Sequence, residues 1–331
     1  MKKWILGAIS LVMTFGIGFG VVQTRYALEW SELRGRWDLH WEGVQEKHLG
    51  PFAAYYREGC PTPEEMRAQS KPFSPNCTCL VMIHGAGDQA LTWKKVLLQE
   101  SATWVHPVRL WAIDLPGSGR TPSTATDGDL RVRSLGRILG NAMKADALAS
   151  SCTAWGVIGN SLGGWIAAWT QLEHPQSFQK LLLVDSSGLD VQIKRWLEPT
   201  GSHGAEPSLF DGSVEGLREF QKRAYHSPRA LPEFVWKQAA ERMKRSSVPA
   251  FRAAQSREDA LDTYLPSLRA QTFVFWGKSD RITLPEEGRE FARLIPGAIL
   301  REAPSCGHLP QKECPQALIK VINDLVFFGK M

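Results

Sequence analysis

Short apolar runs alternate along this chain with longer stretches in which apolar residues recur every three or four positions. The runs Cys79–Ile83, Val108–Ile113, Ala154–Ile158, Leu181–Val184 and Thr272–Phe275 read as strands buried on both faces. Between them, Leu130–Leu148 and Leu162–Leu172 have helical spacing. Strand and helix alternating in this way predict an α/β domain, with a mostly parallel sheet flanked by helices. Upstream, Trp30, Leu33, Trp37, Trp41 and Val44 fall on one helical face. That face is expected to pack, with a membrane-interface belt as the competing reading.

The alternation stops between Gly188 and about Ser267, where the pattern is charged and helical. Within it, Arg218–Arg257 holds ten Lys/Arg against three Asp/Glu, an excess of +7 in a chain whose total is +5. This predicts a helical cap over 189–267, inserted into a core of 52–188 and 268–331. Its charge suits solvated helix faces; the alternatives are steering of acidic substrates and docking on an anionic membrane. The small net excess gives no reason to expect a nucleic-acid partner. With 43% apolar and 22% charged residues, the 331-residue chain has the make-up of a globular protein.

The first residues have a pattern of their own. Lys2 and Lys3 precede an apolar run from Trp4 to Val22, nineteen residues that would span roughly 28 Å as a helix. Residues 1–23 are therefore expected to be a membrane anchor, followed by a linker and helix over 24–51. A cleaved signal is the alternative, with Gly18 and Gly20 as a weak cleavage pair. Positive residues inside would leave the rest of the chain on the exported side, periplasmic or extracellular. Six cysteines fit an oxidising compartment. Cys60 and Cys77 bracket a stretch holding Pro61, Pro63, Pro72 and Pro75; Cys306 and Cys314 bracket a short polar stretch. Cys79 and Cys152 each front an apolar run, bonded or as two buried thiols. Six cysteines allow 15 pairings, and spacing alone does not choose.

Candidate chemistry centres on Gly159-Asn160-Ser161-Leu162-Gly163-Gly164, which follows a buried run and opens a helical one. In a G-x-S-x-G turn the glycines let the chain reverse sharply and leave the serine hydroxyl exposed. A serine needs a base to take its proton and an acid to orient that base. Downstream, Phe275–Arg281 places Asp280 just past a strand, and Ser305–Pro310 places His308 in a loop before the last helix. Upstream, Met82–Asp88 ends a strand in small residues. The Ala86 and Leu162 N–H groups are the expected oxyanion donors, with Gly87 as alternate for the first and His84 as a prop for the loop. Asp185 ends another strand and competes with Asp280 as the acid. Cys306 and Cys314 flank His308, so a bond between them would steady the imidazole; the alternative is two unpaired residues. A Cys60–Cys77 bond would only tether a surface loop. Asp114–Arg120 reads as a structural turn, since no Gly-Lys-Ser/Thr follows its glycines.

Five pieces in this order, His84-Gly85, Asp114–Gly119, Gly159–Gly164, Trp276–Asp280 and Gly307-His308, make the chain resemble the α/β-hydrolase-fold serine hydrolases over roughly Phe52 to Gly329. The resemblance implies an eight-stranded sheet with a cap inserted after strand six, and places Cys79 and Cys152 at the starts of neighbouring strands. Asn160 before the nucleophile is similar to carbon–carbon bond hydrolases and to monoacylglycerol-type lipases. Leu309 departs from the former, which usually carry Trp after the histidine. The expected activity is hydrolysis of carboxylic esters, acylglycerol-type or otherwise lipid-like, without metal or organic cofactor. Carbon–carbon bond hydrolysis, acyl transfer and a catalytically silent, membrane-associated binding module are the alternatives.

Overall fold

The computed structural model describes residues 27–60, 77–99, 104, 106–197 and 209–327. Eight strands form one sheet: β1 Gln45–Leu49, β2 Phe52–Arg57, β3 Thr78–Ile83, β4 Val108–Ile113, β5 Ala154–Asn160, β6 Phe178–Val184, β7 Gln271–Gly277 and β8 Ile299–Ala303. Their order is β1-β2-β4-β3-β5-β6-β7-β8. The β1–β2 and β2–β4 pairs are antiparallel, and every later pair is parallel. The five strands expected from apolar runs are all present, each within three residues of its expected bounds.

Successive residues of a strand face opposite sides of the sheet. Cys79, Val81 and Ile83 of β3 therefore join one core, and Leu80 and Met82 join the other. The first core is closed by α2 Val132–Ala145 and α3 Leu162–Glu173. Helix α2 is amphipathic, burying Val132, Leu135, Leu139 and Met143 at helical spacing. Helix α3 buries every residue from Leu162 to Gln171, because it lies between the sheet and α2. The second core is closed by α9 Pro315–Phe327 through Leu318, Ile322 and Leu325. Between β6 and β7 the described residues form four further helices: α4 Asp190–Leu197, α5 Val214–Ala224, α6 Glu233–Lys244 and α7 Val248–Ala254. Helix α8 Pro285–Leu294 joins β7 to β8. Several of the basic residues in the inserted stretch pair with nearby acids, as Arg218 does with Glu233, Arg223 with Glu219 and Arg257 with Asp190.

Two expectations are corrected. Of the expected apolar stripe, Val44, beyond the end of α1 Ala27–Trp41, is buried, but the four members on the helix do not pack: Trp30, Leu33, Trp37 and Trp41 are 42–54% exposed. The helix instead approaches the domain through Gly35 and Leu39, because a side chain at Gly35 would collide with Leu91. The second concerns the expected placement as a membrane-anchored protein. Among the described residues no helix is long and apolar enough to cross a membrane. Even α1, with 15 residues, falls short of the ~20 apolar residues a span requires, and it carries Glu29, Glu32, Arg34, Arg36 and Asp38. The run 4–22 that carried the expectation lies outside the described residues, as does the Pro-rich stretch 61–76.

All six cysteines are paired, as Cys60–Cys77, Cys79–Cys152 and Cys306–Cys314. Cys79 opens its side of β3 opposite Trp155 of β5, so Cys152, two residues before β5 begins, is within bonding reach.

Candidate active site

The turn from β5 into α3 is built on contacts that exclude side chains. A Cβ on Gly159 would lie 2.0 Å from the Gly163 oxygen, and one on Gly163 would lie 2.3 Å from the Ile83 oxygen. With the turn closed this tightly, Ser161 is held at φ +55°, ψ −121°, outside the ordinary regions for a residue with a Cβ. Strain of this sort persists only where the surroundings impose it. Ser161 is half-buried, at the mouth of the sheet's C-terminal edge. Leu162 opens α3, so its N–H is among the first-turn donors that have no acceptor within the helix.

Asp280 and His308 come from the loops after β7 and β8, and the fold joins them. The His308 Nδ1 lies 2.7 Å from the Asp280 Oδ2, with both side chains buried. Asp280 is itself held on all sides. Its Oδ1 accepts the Ile282 and Thr283 N–H groups at 2.7 and 3.2 Å, and its Oδ2 accepts the Thr283 hydroxyl at 2.7 Å. His308 is tied to the serine turn through its backbone, since the Asn160 amide donates to the His308 carbonyl at 2.9 Å. The loop is also tied to the inserted helices: the His308 N–H donates to the Ala224 carbonyl at 2.6 Å, and Arg281 N–H to Arg223 at 3.0 Å. Asp185, the competing acid, does not reach His308; its Oδ1 accepts the Gly277 N–H at 2.8 Å.

On the other side, His84 spans the loops after β3 and β4. Its Nε2 accepts the Leu115 N–H at 3.0 Å, so the proton sits on Nδ1, which donates to the Gly85 carbonyl at 2.8 Å. Burial lowers its pKa and favours this neutral form. Gly85 packs directly against Ser161, where a Cβ would lie 3.1 Å from the serine Cβ. Ala86 and Gly87 follow in that same loop. Asp88 ends it in an ion pair with Lys312 at 2.7 Å. Burial opposes the Asp88 charge, but Lys312 outweighs it and holds the carboxyl below its usual range. Among the described residues no group of His, Cys, Asp and Glu is arranged to hold a metal ion.

Several neighbours of these groups were not singled out from the sequence. Thr283 braces Asp280, and its D-x-x-T spacing is a local turn signal that could have been used. Glu313 accepts the Gly307 N–H at 2.7 Å and the His226 and Ser227 N–H groups at 3.1 and 2.9 Å, pinning the histidine loop to the chain after α5. Phe220 of α5 presents an edge to the His308 ring, 6.5 Å between centroids. No local signal marks Glu313 or Phe220, because both depend on how the insertion folds back.

The Cys306–Cys314 bond closes the segment that carries both His308 and Glu313. Small misplacements of a catalytic group can cost about 10²-fold. The double replacement Cys306→Ser with Cys314→Ser is expected to lower kcat by about tenfold, within that range. Undiminished kcat and unchanged thermal inactivation would leave the bond without a part in positioning His308.

Residues 80–321 match the model of the Alpha/beta hydrolase family. The chain belongs to that family. Lipase 1 of Psychrobacter immobilis is 28% identical over 239 residues, 71% of this chain and 72% of that protein. The 2-hydroxy-6-oxo-6-phenylhexa-2,4-dienoate hydrolase of Burkholderia cepacia is 25% identical over 272 residues, 76% of this chain and 88% of that protein. A relative in Teredinibacter turnerae, the biotin biosynthesis bifunctional protein BioHC, is 26% identical over 290 residues, and the chain spans only 48% of its length. Among solved structures, a membrane phospholipase A described as a bacterial virulence factor has a TM-score of 0.64 at 22% identity, covering 98% of both chains. That likeness is one of fold.

Proposed function

We propose that this α/β hydrolase cleaves carboxylic esters through Ser161, His308 and Asp280. The observation that carries the reading is the buried His308–Asp280 contact at 2.7 Å, set against the strained Ser161 by the Asn160 bridge. Ser161 Oγ attacks the acyl carbon while His308 takes its proton. The Ala86 and Leu162 N–H groups, with Gly87 as alternate for the first, receive the developing oxyanion. His308 then protonates the leaving alcohol, and a water activated by the same imidazole releases the acid from Ser161. Asp280 keeps the imidazole oriented and balances its charge. No cofactor enters these steps.

Lipid-like acyl groups are the substrates the surroundings favour. The inserted helices act as a cap that brings Phe220 into a T-shaped contact with His308, and the Phe210 ring is tilted against that of Phe220 with 5.5 Å between centroids. Met243 of α6 closes over Gly87, its methyl 2.8 Å from where a Cβ would stand. An apolar wall beside the acyl site discriminates by chain length, each methylene being worth up to about 10²-fold at most. Phe220→Ala is expected to lower kcat/KM for a long-chain ester by about tenfold, with an acetate ester much less affected. Equal losses for both esters would remove Phe220 from the acyl site.

A second reading, carbon–carbon bond hydrolysis, draws on the similarity to the dienoate hydrolase, which is comparable in extent to the similarity to Lipase 1. Esters of graded chain length assayed beside a dienoic ring-cleavage substrate separate the two. Turnover of the dienoate alone would replace the ester reading. Transfer to an added alcohol in preference to water would make the protein a transacylase. Failure of a fluorophosphonate probe to label the protein would favour a silent binding module.

A further inference from the structure

Asp185 is a buried acid that these steps do not use. It directly follows β6 with φ +42°, a left-handed backbone that Asp and Asn tolerate better than most residues. Its side chain is fully buried. Oδ1 accepts the Gly277 N–H at 2.8 Å, while among the described residues Oδ2 meets no hydrogen-bond donor. The Thr283 hydroxyl ties the Asp280 carboxyl to this strand end, lying 2.7 Å from Asp280 Oδ2 and 3.2 Å from the Asp185 carbonyl oxygen, so the two acids are neighbours. Four donors already converge on that carboxyl: Ile282 N–H, Thr283 N–H, the Thr283 hydroxyl and His308 Nδ1. If Asp185 were ionised, two negative charges would stand side by side in the interior, one with a bare oxygen, and such pairs do not both ionise.

We propose that Asp185 keeps its proton and donates it to the Asp280 carboxylate, so that the two acids carry one charge and Asp280 is held for His308. Asp185 is thus a positioning residue, and the argument rests on the Ser161–His308–Asp280 reading. The donation gives the bare oxygen a role and adds a fifth hydrogen bond to the acid that orients the imidazole. Its environment acts in the same direction: burial first, then the Asp280 charge, push the Asp185 carboxyl well above its usual range, while the Gly277 N–H opposes the shift and Glu313 adds to it. The other titratable groups nearby are His308, on the far side of Asp280, and Glu287 of α8. Glu287 is paired with Arg195 and is linked to this strand end through Gln192 and the Ser186 carbonyl.

The test compares Asp185→Asn with wild type, since Asn tolerates the same backbone, accepts from Gly277 and donates to Asp280, but never titrates. A carboxyl whose pKa is raised on folding supports the fold fully below its unfolded value, about pH 4, and loses that support as pH rises towards the folded value. Wild type and Asp185→Asn should therefore unfold alike near pH 4. From there the variant should gain, by up to about tenfold in the folding equilibrium per pH unit. Difference infrared spectra at neutral pH should show the C=O stretch of a protonated carboxylic acid in wild type and not in the variant. A stability gap that does not widen with pH, or the absence of that band, overturns the proposal. Asp185→Gly removes the donor without backbone strain and should lower kcat about tenfold at constant KM, with Asn recovering most of the loss. Asn as impaired as Gly would mean that Asp185 acts by its charge, which also overturns it. The unfolding and infrared readings do not depend on turnover, so a triad that failed at Ser161 would be told apart from a wrong proton on Asp185.

Discussion

Ser161→Ala is expected to lower kcat by about 10⁶-fold and to abolish labelling by a fluorophosphonate probe, while the protein stays folded. Three features of the turn support the size of this effect. The strained backbone at φ +55° is imposed by the glycine contacts on either side, and alanine has the same backbone preferences as serine, so the loss is chemical. His308 stays paired with Asp280 in the variant but has no hydroxyl to deprotonate. On the proposed mechanism, what remains is the binding site and the oxyanion donors, which in serine hydrolases leave about 10³–10⁴-fold over the uncatalysed reaction. Steady-state turnover of a short-chain ester, with melting of the same samples as a control for folding, checks the prediction. A loss below about 10²-fold would assign the nucleophile elsewhere.

How much of this was legible beforehand depends on what each element buries. Strands β3 to β7 sit inside the sheet with helices on both sides, so each carries a run of consecutive apolar residues, such as Leu110–Ile113 in β4 and Leu181–Val184 in β6, and announces itself. The outer strands do not. Gln45–Leu49 reads QEKHL and Ile299–Ala303 reads ILREA, each partly exposed at an edge, and neither leaves an uninterrupted apolar run. Phe52–Arg57, FAAYYR, is buried but has no β-branched residue, so its local preference does not separate strand from helix. Helix α1 has an apolar stripe at helical spacing, yet the packed face is set by Gly35 meeting Leu91, a contact across 56 residues that spacing cannot show.

The candidate site divides along the same line. Ser161, Asp280 and His308 could be named because Ser161 directly follows a strand and the other two lie within five residues of a strand end, and strand ends in a parallel sheet converge on one edge. The groups that hold them, Glu313 and Phe220 among them, act across loops whose meeting is a product of the whole fold. The choice between Asp280 and Asp185 is of that second kind. Both lie just past the ends of neighbouring strands, and only the geometry of the side chains separates the acid that touches His308 from the one that accepts the Gly277 N–H.

That distinction gives the second large effect. Asp280→Asn is expected to lower kcat by about 10⁴-fold with KM little changed. The two backbone N–H groups at Oδ1, from Ile282 and Thr283, require an acceptor there, so the asparagine oxygen must occupy that position. The NH₂ group is then directed at His308 Nδ1, where a donor now faces the imidazole. The ring answers by carrying its proton on Nε2, the nitrogen that must accept the Ser161 proton. The base is thus in the wrong tautomer, and the charge that would have balanced the imidazolium is gone as well. Neither change touches the apolar wall of Phe220 and Met243, which is why substrate binding should survive. Asp280→Asn that retains more than about a hundredth of wild-type kcat would show that the orienting charge lies elsewhere, and a 10⁴-fold loss in Asp185→Asn would place it on Asp185.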